Sequence, residues 1–177
     1  GKTVARAEIY TIGHRDHHGI AAMPADGRIF EAELGPLGGD KINILAPGRN
    51  YGWPTYGYGR DNDGSPMEHP NREGIEPSWI TWNPGITPSG LLFYTGDKFP
   101  NWKGNIFVGG MSANYRQLVR FSINGTTVTN REPLLVREYR IRDVRQGPDG
   151  FVYIAVDNQF PGQPSNIIRL EPNAAAR

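Results

Sequence analysis

Apolar residues in this chain either alternate with polar ones or gather in short runs, and Gly, Pro, Asn or Asp closes nearly every run. Alternation with a period of two marks β-strands half-buried on one face. No long Ala/Leu/Glu/Lys stretch argues for a helix. One pattern occurs three times, a turn ending in Gly followed by a short apolar strand: Ala25-Asp26-Gly27-Arg28-Ile29-Phe30, Trp102-Lys103-Gly104-Asn105-Ile106-Phe107 and Pro148-Asp149-Gly150-Phe151-Val152-Tyr153. After a loop, each copy meets a second strand, at Lys41-Ile42-Asn43-Ile44, Gln117-Leu118-Val119-Arg120-Phe121 and Asn166-Ile167-Ile168-Arg169-Leu170.

Gly104 and Gly150 lie 46 residues apart, close to the ~40–50 residues of one propeller blade. Gly27 and Gly104 lie 77 apart, which predicts a long insertion, spanning about 48–88. The pattern therefore predicts an all-β partial β-propeller of about three blades with one aromatic-rich insertion. A β-sandwich satisfies the alternation equally well; the repeat is what favours the propeller. Closed propellers have ~4–8 blades, so three blades predict that another chain or a second copy covers the open ends. Asn124-Gly125 predicts a tight hairpin, which accounts for the formal glycosylation sequon Asn124-Gly125-Thr126 without a sugar.

Composition agrees with strands and turns: 23 Gly, 15 Pro and 11% aromatic residues in 177. A net charge of +1 gives no footprint for nucleic acid or an anionic membrane. No apolar run is long enough to span a bilayer, and no cationic, apolar leader is present. With zero cysteines, disulfides, thiolate metal sites and cysteine nucleophiles are excluded. Asp61-Asn62-Asp63-Gly64 lacks the later glutamate of a calcium loop and reads as a polar turn. The rings of Tyr51, Trp53, Tyr56, Tyr58, Trp79 and Trp82 could stack on a sugar, pin the insertion or bury a subunit contact, with packing and contact favoured.

Several longer segments carry a family resemblance: Tyr10-Thr11-Ile12-Gly13-His14-Arg15, Gly35-Pro36-Leu37-Gly38-Gly39-Asp40, Asn50-Tyr51-Gly52-Trp53-Pro54, Phe93-Tyr94-Thr95-Gly96-Asp97 and Arg140-Ile141-Arg142-Asp143-Val144. In this order they resemble the C-terminal half of the glucose/sorbosone dehydrogenases, six-bladed propellers that bind pyrroloquinoline quinone and calcium. The resemblance implies calcium on the backbone carbonyls of Gly35 and Pro36, and cofactor carboxylates on Arg15, Arg140 and Arg142. Read without it, Gly35-Pro36 is equally a turn, and Arg142 beside Asp143 equally an ion pair. It also implies a sugar (aldose) dehydrogenase acting in the periplasm or outside the cell, with the usual catalytic histidine in earlier blades.

The departures from the family pattern are specific. Arg15-Asp16-His17-His18-Gly19 replaces the usual Arg-Asn-Pro-Gln-Gly, placing a negative charge where cofactor carboxylates are expected. Leu34 replaces a residue able to hydrogen-bond a quinone. Lys41 replaces a calcium-binding glutamate, and its ammonium is expected to reach a neighbouring carbonyl or carboxylate. His17 or His18 could serve as a substitute base, with strand alternation admitting at most one of them to a site. An Asp/His transition-metal site there is less favoured. These losses support a second reading, a degenerate, non-catalytic propeller fragment acting as a scaffold subunit.

Overall fold

In the computed structural model the described residues are 6–157 and 164–173. Their eleven strands form three antiparallel sheets, and helix among them is limited to one 3-10 turn at Pro100–Trp102. The first sheet runs β1 (Asp16–Ala22), β2 (Ile29–Leu34), β3 (Asp40–Leu45), β4 (Ile80–Trp82). The second runs β5 (Pro88–Phe93), β6 (Ile106–Gly110), β7 (Gln117–Asn124), β8 (Thr127–Leu134). The third holds β9 (Arg140–Gln146), β10 (Val152–Asp157) and β11 (Asn166–Leu170) with β10 central. Each sheet is a blade whose strands pair in chain order, so the molecule is an all-β partial propeller. The repeated sequence pattern is the hairpin of the second and third strands of every blade: β2–β3, β6–β7 and β10–β11.

Alternation sorts each strand into two faces. Phe30, Ala32 and Ile42 of the first blade pack with Leu91, Val108 and Phe121 of the second. Phe107 and Leu118 of the second blade pack with Ile141, Val144 and Ile154 of the third. The tight hairpin joins β7 to β8, with Asn124 paired to Thr127 across Gly125-Thr126. The stretch 48–88 is not wholly loop, because β4 lies inside it and completes the first blade. Trp79 and Trp82, candidates for a subunit contact, face inward instead: Trp79 packs on Phe30 and Phe121, and Trp82 is buried against Phe121. The remaining loop aromatics are also committed within the chain, Tyr51 on His14, Trp53 under Arg15, Tyr56 under Arg72 and Tyr58 on His69.

The first strands of the three blades sit side by side. A Cβ on Gly19 of β1 would strike backbone atoms of Ser89 and Leu91 in β5, and one on Gly90 would strike Asp143 and Val144 in β9. Ser89 Oγ donates to Ile141 O, and Arg145 Nη1 donates to Leu91 O. These contacts advance together along both chains, so β5 and β9 run parallel. Likewise Gly19 of β1 lies beside Ser89–Leu91, and Met23 beyond it shares a cavity with Phe93. All three strands therefore start at one common mouth.

Candidate functional site

That mouth collects residues distant in sequence. Arg15 precedes β1, Thr87 precedes β5, and Arg140 opens β9. Arg15 Nη1 donates to the carbonyls of Leu34 and Gly35 at 3.3 and 3.4 Å, and its guanidinium lies over Trp53. Asp16, half exposed, lies 4.0 Å from Arg15 and 3.3 Å from His18, so its added charge is partly offset locally. Arg140 Nη1 bonds both oxygens of Asp157 at 2.8 and 2.6 Å, and Arg142 Nε reaches the same carboxylate at 2.5 Å. The expected Arg142–Asp143 pairing is not formed; Asp143 meets Arg145 at 3.3 Å. Burial pushes the Asp157 carboxyl up, but the hydrogen bonds and charges of Arg140 and Arg142 outweigh it and hold it below the ordinary range.

Asp40, 4% exposed, ties two of these segments together, a role the sequence did not reveal. Its carboxylate accepts the backbone N–H of Gly35 at 3.0 Å and of Thr87 at 2.7 Å. Burial raises its pKa above the ordinary value against the pull of those bonds. Thr87 has φ 55, a left-handed conformation unfavourable to a β-branched residue, and backbone outliers of this kind concentrate at functional sites. Met111 closes the ring: its N–H donates to the carbonyls of Ile86 and Thr87, and its own carbonyl accepts Arg140 Nε at 3.2 Å. The Gly-Pro turn, the strained Thr87 and the arginine pair thus form one connected frame.

A second polar cluster lies on the face of the first blade turned away from the second. Glu31, Glu33, Lys41 and Asn43 are all nearly fully buried there. Lys41 Nζ lies 2.9 Å from Glu33 Oε1 and donates to the Tyr51 carbonyl at 3.0 Å. The ammonium thus occupies the place where the family pattern has an acid. His14 Nδ1 stands 2.9 Å from Glu33 Oε2, and His17 Nδ1 2.7 Å from Glu31 Oε1. Burial and the adjacent Glu33 push Glu31 up; for Glu33, burial is outweighed by His14 and Lys41, which hold it below the ordinary range. The register between β1 and β2 shifts between His17 and Gly19, a bulge that breaks the alternation. Consequently His17 and His18 both line one cavity of about 540 Å³, together with Tyr10, His14 and Ile20, where simple alternation admits one.

Comparison with known proteins fixes the origin of this frame. The sequence model described as Glucose / Sorbosone dehydrogenase matches residues 1–167. The chain belongs to the glucose/sorbosone dehydrogenase family. Within it, the aldose sugar dehydrogenase YliI of Escherichia coli is 39% identical over 157 residues, covering 86% of this chain and 42% of the relative. A glucose dehydrogenase crystal structure superposes with a TM-score of 0.87 at 36% identity, covering 98% of this chain and 49% of the other. The PQQ-bound aldose sugar dehydrogenase of Streptomyces coelicolor superposes at 0.69 with 25% identity, covering 92% and 45%. The chain therefore spans less than half the length of each of these relatives.

Proposed function

We propose that this chain forms the cationic part of a sugar dehydrogenase site whose hydride acceptor is pyrroloquinoline quinone. The observation that carries the reading is the shared mouth: Arg15 stands at the start of β1 and Arg140 and Arg142 at the start of β9, on either side of β5, and the frame is braced by Asp157, Asp40 and Met111. Three guanidiniums fit a cofactor bearing three carboxylates. When bound, such a quinone supplies the two-electron acceptor for oxidation of an aldose. This chain's guanidiniums would hold and orient its carboxylates, and the hydrogen bonds of Asp40 and Met111 keep the segments around Thr87 and Arg140 in place.

Calcium fits less well. Tyr51 O and Glu33 are already bridged by Lys41, and Gly35 O faces the Arg15 guanidinium, so a cation on Gly35 and Pro36 meets a like charge. His17 and His18 are the candidate bases: His17 leans on Glu31, and His18 on Asp16. Further blades, from another chain, a second copy or sequence outside these 177 residues, complete the ring and the sugar pocket. A location outside the cytoplasm belongs to the same proposal; among the described residues no helix is long and apolar enough to cross a membrane.

Calorimetric titration of the chain with pyrroloquinoline quinone tests the reading. Binding is expected, and Arg142→Ala weakens it ~10–100-fold, the loss of a charged hydrogen bond worth ~1.5–3 kcal/mol. Absence of binding by a folded chain would falsify the cofactor role. It would select instead the scaffold reading, which the substitution at Lys41 favours.

A further inference from the structure

The face of the first blade carries a group of four donors, of which the quinone reading calls on His17 alone, as one of two candidate bases. His14, His17, Glu31 and Glu33 each offer one ligand atom, and these four atoms lie within 4.8 Å of one another. Three of the four side chains are at least nine-tenths buried, His14 at 8%, Glu31 at 2% and Glu33 at 1% exposure, while His17 at 57% leaves an approach from solvent. Tetrahedral coordination at ~2.0–2.2 Å places neighbouring ligand atoms about 3.3 Å apart. The observed separations bracket that value: 2.7 Å for His17 Nδ1 to Glu31 Oε1, 2.9 Å for His14 Nδ1 to Glu33 Oε2 and 3.7 Å for His14 Nδ1 to Glu31 Oε2.

The surroundings are those a metal ligand set requires. Thr11 Oγ1 sits 2.9 Å from His14 Nε2. With a metal on Nδ1, Nε2 carries the proton and Thr11 Oγ1 is placed to accept it and orient the ring. Fully buried Asn43 donates through Nδ2 to Glu31 Oε2 at 2.8 Å and toward Glu33 Oε2 at 3.5 Å, so both carboxylates are oriented from behind. Among the described residues its Oδ1 has no hydrogen-bond partner. Charge points the same way. Lys41 neutralises one of two buried carboxylates and leaves the other facing two imidazoles.

We infer that His14, His17, Glu31 and Glu33 form a binding site for a divalent transition-metal ion of the zinc class. Two imidazoles and two carboxylates suit zinc, whereas calcium and magnesium prefer oxygen alone. The site does not need the quinone to bind, and an ion on His17 leaves His18 as the remaining candidate base; its donors are legible only in three dimensions, because His14 and His17 precede β2 while the glutamates lie on it.

The test uses the 177-residue chain stripped with chelator, titrated with zinc by calorimetry and with cobalt(II) as a coloured probe. One ion per chain and intense visible bands of tetrahedral cobalt are expected, with calcium failing to compete. Thr11→Val, which removes the hydroxyl partner of His14 Nε2, weakens binding ~10–100-fold. His17→Ala, at an exposed ring that threatens no core packing, weakens it further, and Glu31→Gln does the same without changing shape. His18→Ala and His69→Ala leave it unchanged. No stoichiometric uptake, or uptake undiminished in a folded His17→Ala chain, overturns the site; so does loss in His18→Ala with retention in His17→Ala, which would mark surface chelation by Asp16 and His18.

Discussion

Single residues at this site act through charges held out of water. Lys41 is the clearest case, since its ammonium and the Glu33 carboxylate are both more than nine-tenths buried and 2.9 Å apart. Removing one partner of such a pair strands the other, at a cost of ~3–5 kcal/mol. Lys41→Met should therefore lower the unfolding free energy by about that amount, and Lys41→Met/Glu33→Gln should recover most of it; urea titrations of both variants decide. Asp157 gives a pH signature. Its folded pKa lies below the ordinary 3.8, so its stabilising contribution is complete above that value and is lost as pH falls through the lower, folded one. Asp157→Asn should flatten this acid limb and cost ~1–3 kcal/mol at neutral pH, read as denaturation midpoints against pH. The reach of Lys41 to a carbonyl and a carboxylate was legible from its sequence position alone. The bracing role of Asp40 was not, because its partners Gly35 and Thr87 meet it only after two blades have docked.

Elements follow local pattern wherever a strand pairs with its sequence neighbour. The hairpin of the second and third strands in each blade was visible as a repeat because turn, glycine and alternation all fall within one short window. The three-residue β4 was not, being short and separated from β3 by the long loop; its residues read as part of the insertion. The bulge at His17 and His18 was equally hidden, since register depends on the partner strand. Packing between blades constrains β1 and β5 to carry glycine where they cross their neighbours. A methyl at Gly90 meets the Val144 backbone nitrogen and the Asp143 backbone, which cannot swing aside as a side chain can. Gly90→Ala should cost ~1–3 kcal/mol as an overpacking change, with hydrogen-exchange protection falling most in β9. Protection lost uniformly across all three sheets would mean that β5 and β9 are not separately coupled there.

The whole molecule is a stack of three blades whose two outer faces differ from the bare apolar planes that strand counting suggests. On the first blade, the buried layer turned outward is polar, Glu31, Glu33, Lys41 and Asn43, and residues near His14 and Tyr51 lie against it. Apolar exposure shifts to the rim, where Ile20 is 63% exposed and lines one cavity with the half-exposed Tyr10. At the other end, Ile167 of β11 is 71% exposed. These positions are where further blades belong in the proposal, and covering even a few hundred Å² is worth several kcal/mol at ~25 cal/mol per Å². Sedimentation at low micromolar concentration should therefore give a mass above the 19.7 kDa of one chain. Ile20→Lys places a charge in the rim at a residue already mostly in solvent, so it should leave the fold intact and shift the distribution toward monomer. A cooperative 19.7 kDa monomer that binds no hydrophobic dye would show that three blades satisfy their own faces, and the requirement for further blades would fall with it.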